Sequence, residues 1–154
     1  MLSRIAVHVW GWLPVRLRTA LTWCLNTHFI VGTVAIIEDG DGRILLARHT
    51  YKRRAPWGLP GGFVRRGEDP SETIVREIAE EVGLKVELRG PVTVQREGRR
   101  HLTIVYGGRL TGGTVRSSDE VSEARFVVPG SWPPGLREDH RVLIEDFAGS
   151  RMSR

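Results

Sequence analysis

The sequence predicts an α/β domain built in layers, and three observations carry that prediction. Apolar, β-type runs recur along the chain, two of them joined by the hairpin signal Asp39-Gly40-Asp41-Gly42. Between Ser71 and Val82 the pattern changes to helical spacing, with Ile74, Val75, Ile78 and Val82 on one face. More strand-like runs follow, and then a terminal helical segment. Strands on either side of a central helix bury their apolar faces best as a sheet with helices packed against it. With 154 residues, 40% of them hydrophobic, the chain has material for one ordinary core.

Residues 1–28 stand apart as an amphipathic helical extension, and residues 29–150 form the main domain. In the extension Trp10, Trp12 and Trp23 keep company with Arg4, Arg16 and Arg18. Pro14 suits a helix start, after which Leu17, Leu21, Cys24 and Leu25 repeat at helical spacing. No run is apolar and long enough to cross a membrane, and arginines interrupt any signal-peptide core. Two readings stand. One is a helix docked on the domain or on a second subunit of a homodimer, which is favoured. The other is a peripheral membrane contact, with tryptophans at headgroup depth and arginines toward lipid phosphates.

The domain opens on Phe29 to Glu38, a buried strand, and returns as Arg43 to His49. A polar loop, Thr50 to Trp57, leads to Leu59-Pro60-Gly61-Gly62 and a short strand at Phe63 to Arg65. Asp69, Ser71 or both cap the central helix, Pro70 needs no hydrogen bond there, and Gly83 ends it. Lys85 to Arg89 and Val92 to Glu97 read as strands parted by a kink at Gly90-Pro91. His101 to Leu110 and Val121 to Val128 follow as strands, with a loop from Thr111 to Ser118 between them. A helix near Arg137 to Phe147 and a loose tail close the chain.

The net charge of +5 is almost all arginine, since Lys52 and Lys85 are the only lysines. Arginine's fork matches phosphate oxygens, yet the basic balance alone does not establish nucleic-acid binding. The single cysteine, Cys24, excludes an intrachain disulfide and a cysteine-based zinc site. It suits a reducing cytoplasm, and its apolar setting predicts a buried, inert thiol.

The central helix carries the chemistry. Glu77, Glu80 and Glu81 share one turn on its polar side, where like charges repel. A divalent cation removes that penalty, and hard cations such as Mg²⁺ prefer carboxylate oxygens. The stretch Gly62 to Leu84, with Gly62, Glu68 and Arg76-Glu77-Ile78-Ala79-Glu80-Glu81-Val82-Gly83-Leu84, resembles the Nudix hydrolase signature at every fixed position. The resemblance implies an α/β/α sandwich with a mixed central sheet. It also implies hydrolysis of a nucleoside diphosphate linked to another group, with Mg²⁺ or Mn²⁺.

By the same resemblance Glu77, Glu80 and Glu81, helped by the Gly61 carbonyl, hold the metal, and Arg76 orients a box glutamate. Glu68 has either a supporting role or a helix-dipole role. Gly61 and Gly62 let backbone come close to metal and phosphate. The general base stays open between Glu77 or Glu80 in the box and Glu120 or Asp119 before the last strand. Arg48, Arg53 and Arg54 are candidates for the substrate's phosphate or far end, and Trp57 for stacking on a base. Packing under the glycine loop is the commoner use of such a tryptophan. Two rivals to a hydrolase of nucleoside triphosphates, nucleotide-sugars or nucleotide-alcohols remain. One is a nucleotide-sensing module without catalysis. The other is an RNA 5′-pyrophosphate or membrane-surface protein using the basic extension.

Overall fold

Successive residues of β1 (Ile30–Glu38) enter two different cores. Ala35 and Ile37 pack with Leu45, Ile74, Ile78 and Val82, while Ile36 packs with Leu46, Leu59, Leu143 and Ile144. This alternation puts a helix on each side of the sheet. The computed structural model describes residues 10–152. In chain order they form α1 (Val15–Leu25), β1, β2 (Ile44–His49), β3 (Trp57–Gly58), β4 (Gly61–Phe63), α2 (Pro70–Val82), β5 (Leu84–Glu97), β6 (His101–Gly113), β7 (Val121–Val127) and α3 (Glu138–Met152).

The sheet runs β3-β2-β1-β6-β5, with β4 paired to β1 and β7 to β2. It is mixed, as expected. β1 and β6 are parallel from Ile30↔His101 to Glu38↔Arg109, and the other pairings are antiparallel. β1 and β2 share only the pair Glu38↔Ile44, so β4 takes over the β1 edge from Gly32 to Val34. That parting opens the cleft described below.

The start of α2 is closed by a capping box. The Asp69 carboxylate accepts from the Ser71 N–H at 2.8 Å, and the Glu72 carboxylate accepts from the Asp69 N–H. Pro70 fills the first helical position, and Gly83, at φ 73°, ends the helix by donating to the Ala79 carbonyl. Both ends match the sequence expectation. Only the Glu72 half of the box was not anticipated.

Several expectations are corrected. The Gly90-Pro91 kink does not divide two strands, because bulges between Leu88 and Gly90 and between Pro91 and Thr93 absorb it within one β5. β6 runs on to Gly113, and β3 is a two-residue strand in what reads as loop. α3 continues to Met152 instead of fraying after Phe147. α1 begins after Pro14, which stands at the N-cap with φ −54° and ψ 144° rather than as the first helical residue, and it buries none of its residues. It therefore does not dock on its own domain. Cys24 on it is exposed, not buried. Trp10, Trp12 and Trp23 lie within the described residues, whereas Arg4 lies outside them. Among the described residues no helix is long and apolar enough to cross a membrane.

Candidate active site

Glu81, expected on the polar side of α2 with Glu77 and Glu80, instead lies on its buried face. It is only 5% exposed, beside the fully buried Ile78 and Val82. The Gly61 N–H donates to it, but Oε2 is buried with no partner. Burial, with the charge of Glu77 and then Glu120 adding to it, pushes its pKa up to about 7. A buried carboxylate with a vacant oxygen is costly unless something positive comes to it.

Arg76 binds the other acids of this face. Its Nε and Nη2 donate to the two oxygens of Glu68 at 2.7 and 3.0 Å. Its Nη1 donates to Glu77 Oε1 at 2.8 Å and to Glu80 Oε2 at 2.9 Å. That fork holds the Glu68 carboxyl down to about 2. Glu68 also accepts from the Arg65 N–H, so it anchors Arg76 and ties down the loop before the helix. Arg76 engages Glu77 and Glu80, and no three metal-ligating side chains among the described residues converge into a ready-made site. The donor set still fits a hard divalent ion. It is all oxygen, it includes the orphaned Glu81 Oε2, and Arg76 takes one oxygen from each of Glu77 and Glu80.

The two glycines serve different neighbours. A Cβ on Gly61 would meet the Thr33 carbonyl and stand 2.9 Å from Val34 Cα, so Gly61 is where β4 presses on β1. A Cβ on Gly62 would overlap the Glu77 carboxylate. Gly62 thus makes the room in which Glu77 lies, on top of any approach to phosphate.

These groups line one wall of a cleft of about 590 Å³. Glu120 faces them from the loop before β7, and its carbonyl accepts from the Thr50 N–H. Asp119 is exposed and outside the cleft. Lys52, Arg65 and Arg137 bring positive charge to the lining. Burial, with Arg137 nearby, lowers the Lys52 ammonium below its usual value. Arg137 is braced by Asp139. Phe63, 62% exposed, and Glu97, which accepts from Thr103 Oγ1 at 3.0 Å, occupy another part of the wall. His140 lies beneath. Its Nδ1 accepts from the Leu59 N–H at 2.8 Å, and burial lowers its pKa to about 3.

The structure brings Gly61, Gly62, Glu77, Glu80, Glu81 and Glu120 to the cleft and sets Arg76 and Glu68 immediately behind. It does not bring Arg48, Arg53, Arg54 or Trp57 there. Arg48 donates across to Ser122 Oγ on β7, and Arg53 and Arg54 are exposed elsewhere on the loop. Trp57 is 5% exposed in the α3-side core, with the Arg125 guanidinium 4.6 Å from its ring centre, so no face is free for a base. Lys52, Phe63, Arg65, Glu97, Arg137 and His140 are residues that sequence reading missed as site residues. Lys52, one of two lysines among so many arginines, was the one available signal. Arg137 and His140 come from a segment distant in sequence and gave none.

With that geometry in hand, the comparisons with known proteins agree. The NUDIX domain family model matches residues 28–147. The chain is 32% identical over 138 residues to the ADP-ribose pyrophosphatase of Methanocaldococcus jannaschii, covering 86% of this chain and 81% of that protein. It is 32% identical over 119 residues to a putative 8-oxo-dGTP diphosphatase of Bacillus subtilis, covering 75% and 78% of the two chains. Among solved structures, the NUDIX hydrolase from Nitrosomonas europaea superposes with a TM-score of 0.74 at 19% identity, over 83% of this chain and 74% of that one. The MutT NUDIX hydrolase from Burkholderia pseudomallei superposes at 0.62 with 30% identity, over 75% and 95%.

Proposed function

Since the chain belongs to the Nudix hydrolase family and is a Nudix pyrophosphohydrolase, we propose that it hydrolyses the phosphoanhydride bond of a nucleoside diphosphate linked to a further group. The observation that carries this reading is Glu81, buried with one carboxylate oxygen unpartnered at the wall of the cleft. Glu77, Glu80, Glu81 and the Gly61 carbonyl would hold a divalent ion, Mg²⁺ or Mn²⁺. Such an ion, when bound, screens the diphosphate charge and lowers the pKa of a water.

The chain's own residues do the rest. Arg76 holds Glu77 and Glu80 at fixed positions and is itself held by Glu68. Lys52, Arg65 and Arg137 are placed to neutralise the phosphate oxygens not engaged by the ion. Glu120, which lines the cleft and is felt electrostatically by Glu81 whereas Asp119 does not line it, would take the proton of the attacking water. The exposed ring of Phe63 offers a stacking face for the base. The named relatives are an ADP-ribose pyrophosphatase and a putative 8-oxo-dGTP diphosphatase. The substrate class proposed here spans both.

The test is a screen of nucleoside triphosphates, nucleotide-sugars and ADP-ribose with Mg²⁺ or Mn²⁺, run in ¹⁸O-labelled water. Metal-dependent turnover with label entering one phosphate is expected. Tight nucleotide binding with no turnover across the panel would instead identify a sensing module.

A further inference from the structure

We propose that α1 docks this enzyme on an anionic lipid surface. The helix has no buried residue, although it is rich in apolar side chains. Leu17, Leu21, Trp23 and Leu25 are 46, 37, 66 and 79% exposed, and Trp10 and Trp12 before them are 41 and 89% exposed. So large an apolar surface in water needs a partner.

The helix geometry says which partner. At about 100° per residue, Leu17, Ala20, Leu21, Cys24 and Leu25 share a face about 140° wide. Arg16 and Arg18 flank that face, one on each side. Thr19 and Thr22 lie on the reverse, their hydroxyls donating to the Val15 and Arg18 carbonyls. Trp23, near Arg16 on the circumference, packs against His28 with ring centres 4.5 Å apart. An apolar stripe bounded by two arginines suits a helix lying at the headgroup boundary, while Trp23 and Val15 fall on the reverse with the threonines.

Charge selects among the occupants. Residues 1–37 contain no Asp or Glu, while Arg4, Arg16 and Arg18 fall among them. A second α1 packed on the first by two-fold symmetry would bring its arginines against like charges, with no carboxylate in the segment to pair them. RNA would satisfy the arginines but leave the leucines in water. An anionic bilayer satisfies both, attracting the arginines and burying the leucines. The matched family model begins at residue 28, so α1 lies outside it.

The experiment uses the full chain and sedimentation with phosphatidylcholine vesicles, with and without phosphatidylglycerol, at low and high salt. Binding to the anionic vesicles, weakened by salt and accompanied by a blue shift of tryptophan emission, is expected. Arg16→Gln and Arg18→Gln should each weaken binding about five-fold. Leu17→Glu with Leu21→Glu should abolish it. Because none of these side chains is buried or lines the cleft, hydrolysis of a soluble nucleotide should be unchanged in every variant, which also shows that they fold. No binding to anionic vesicles would overturn the proposal. So would binding that is indifferent to lipid charge and to the arginine variants. A lipid-free dimer in analytical ultracentrifugation that the Leu17 and Leu21 variants dissociate would assign the face to a second copy instead.

Discussion

A Cβ at position 62 would overlap the carboxylate of Glu77 and stand 2.8 Å from its Cγ, so the side chain of one depends on the missing side chain of the other. At Gly61 the obstruction is main chain of β1, which cannot turn away as a glutamate can. The two alanine substitutions should therefore separate. Gly62→Ala should displace Glu77 and lower kcat roughly ten- to a hundred-fold with Tm near that of the parent. Gly61→Ala should destabilise the fold by about 1–3 kcal/mol or more. Thermal melts and steady-state kinetics on the pair check both.

Glu81→Gln should reduce metal-dependent turnover at least about a hundred-fold while leaving the protein folded. Its effect on metal-free stability has the opposite sign. The Glu81 pKa is raised, to about 7 from 4.5, so its stabilising protonated form is complete below 4.5 and is lost as pH rises through about 7. Above pH 7 the metal-free parent carries a buried unpaired charge that the glutamine variant lacks. In EDTA at pH 8 the variant should melt higher than the parent, and adding Mg²⁺ should raise the parent alone.

His49 and His140 set the acid limit. Burial is the main cause in both, and it lowers them to about 4 and about 3 from 6.5. Depressed folded values mean stability that is full above 6.5 and lost as pH falls toward those values. Protonating His140 Nδ1 would also remove the acceptor for the Leu59 N–H. Denaturant midpoints should fall between pH 6 and 4, and His140→Ala should cost about 1–3 kcal/mol at pH 7.5 by leaving that N–H unpaired.

Positive charge in the cleft should matter more than positive charge near it in sequence. Lys52→Ala and Arg137→Ala should raise KM roughly ten-fold or more. Arg53→Ala and Arg54→Ala, on the same loop but outside the lining, should change it little. Equal effects from the four variants would remove the case for a phosphate site at Lys52 and Arg137.

Arg76→Lys keeps the charge but cannot span Glu68, Glu77 and Glu80 at once. It should lower kcat more than it raises KM, and weaken Mn²⁺ binding measured by paramagnetic relaxation.

The helix pattern, the caps at Asp69 and Gly83 and the glutamate turn were legible in the sequence because each is a local property, set by neighbours a few residues apart. The sheet's mixed, two-faced character was legible through alternation and through the resemblance that the box carries. The parallel β1–β6 pairing joins segments some seventy residues apart in number, and no local pattern marks such a pairing. Trp57 illustrates the same limit. Its composition suits stacking or packing equally, and only its neighbours Leu143, Ile144 and Arg125 decide for packing.

What the sequence determined alone is that three carboxylates share one helical turn, which by charge repulsion calls for a cation. Tertiary structure decided which of them is buried. Glu81 is pressed against Gly61 and left with an unpaired oxygen, while Arg76 restrains Glu77 and Glu80. It also decided which distant residues, among them Lys52, Glu120, Arg137 and His140, meet that turn across the cleft. The reason is physical. Spacing along a helix follows from 3.6 residues per turn, whereas burial and long-range meetings depend on how the whole core closes.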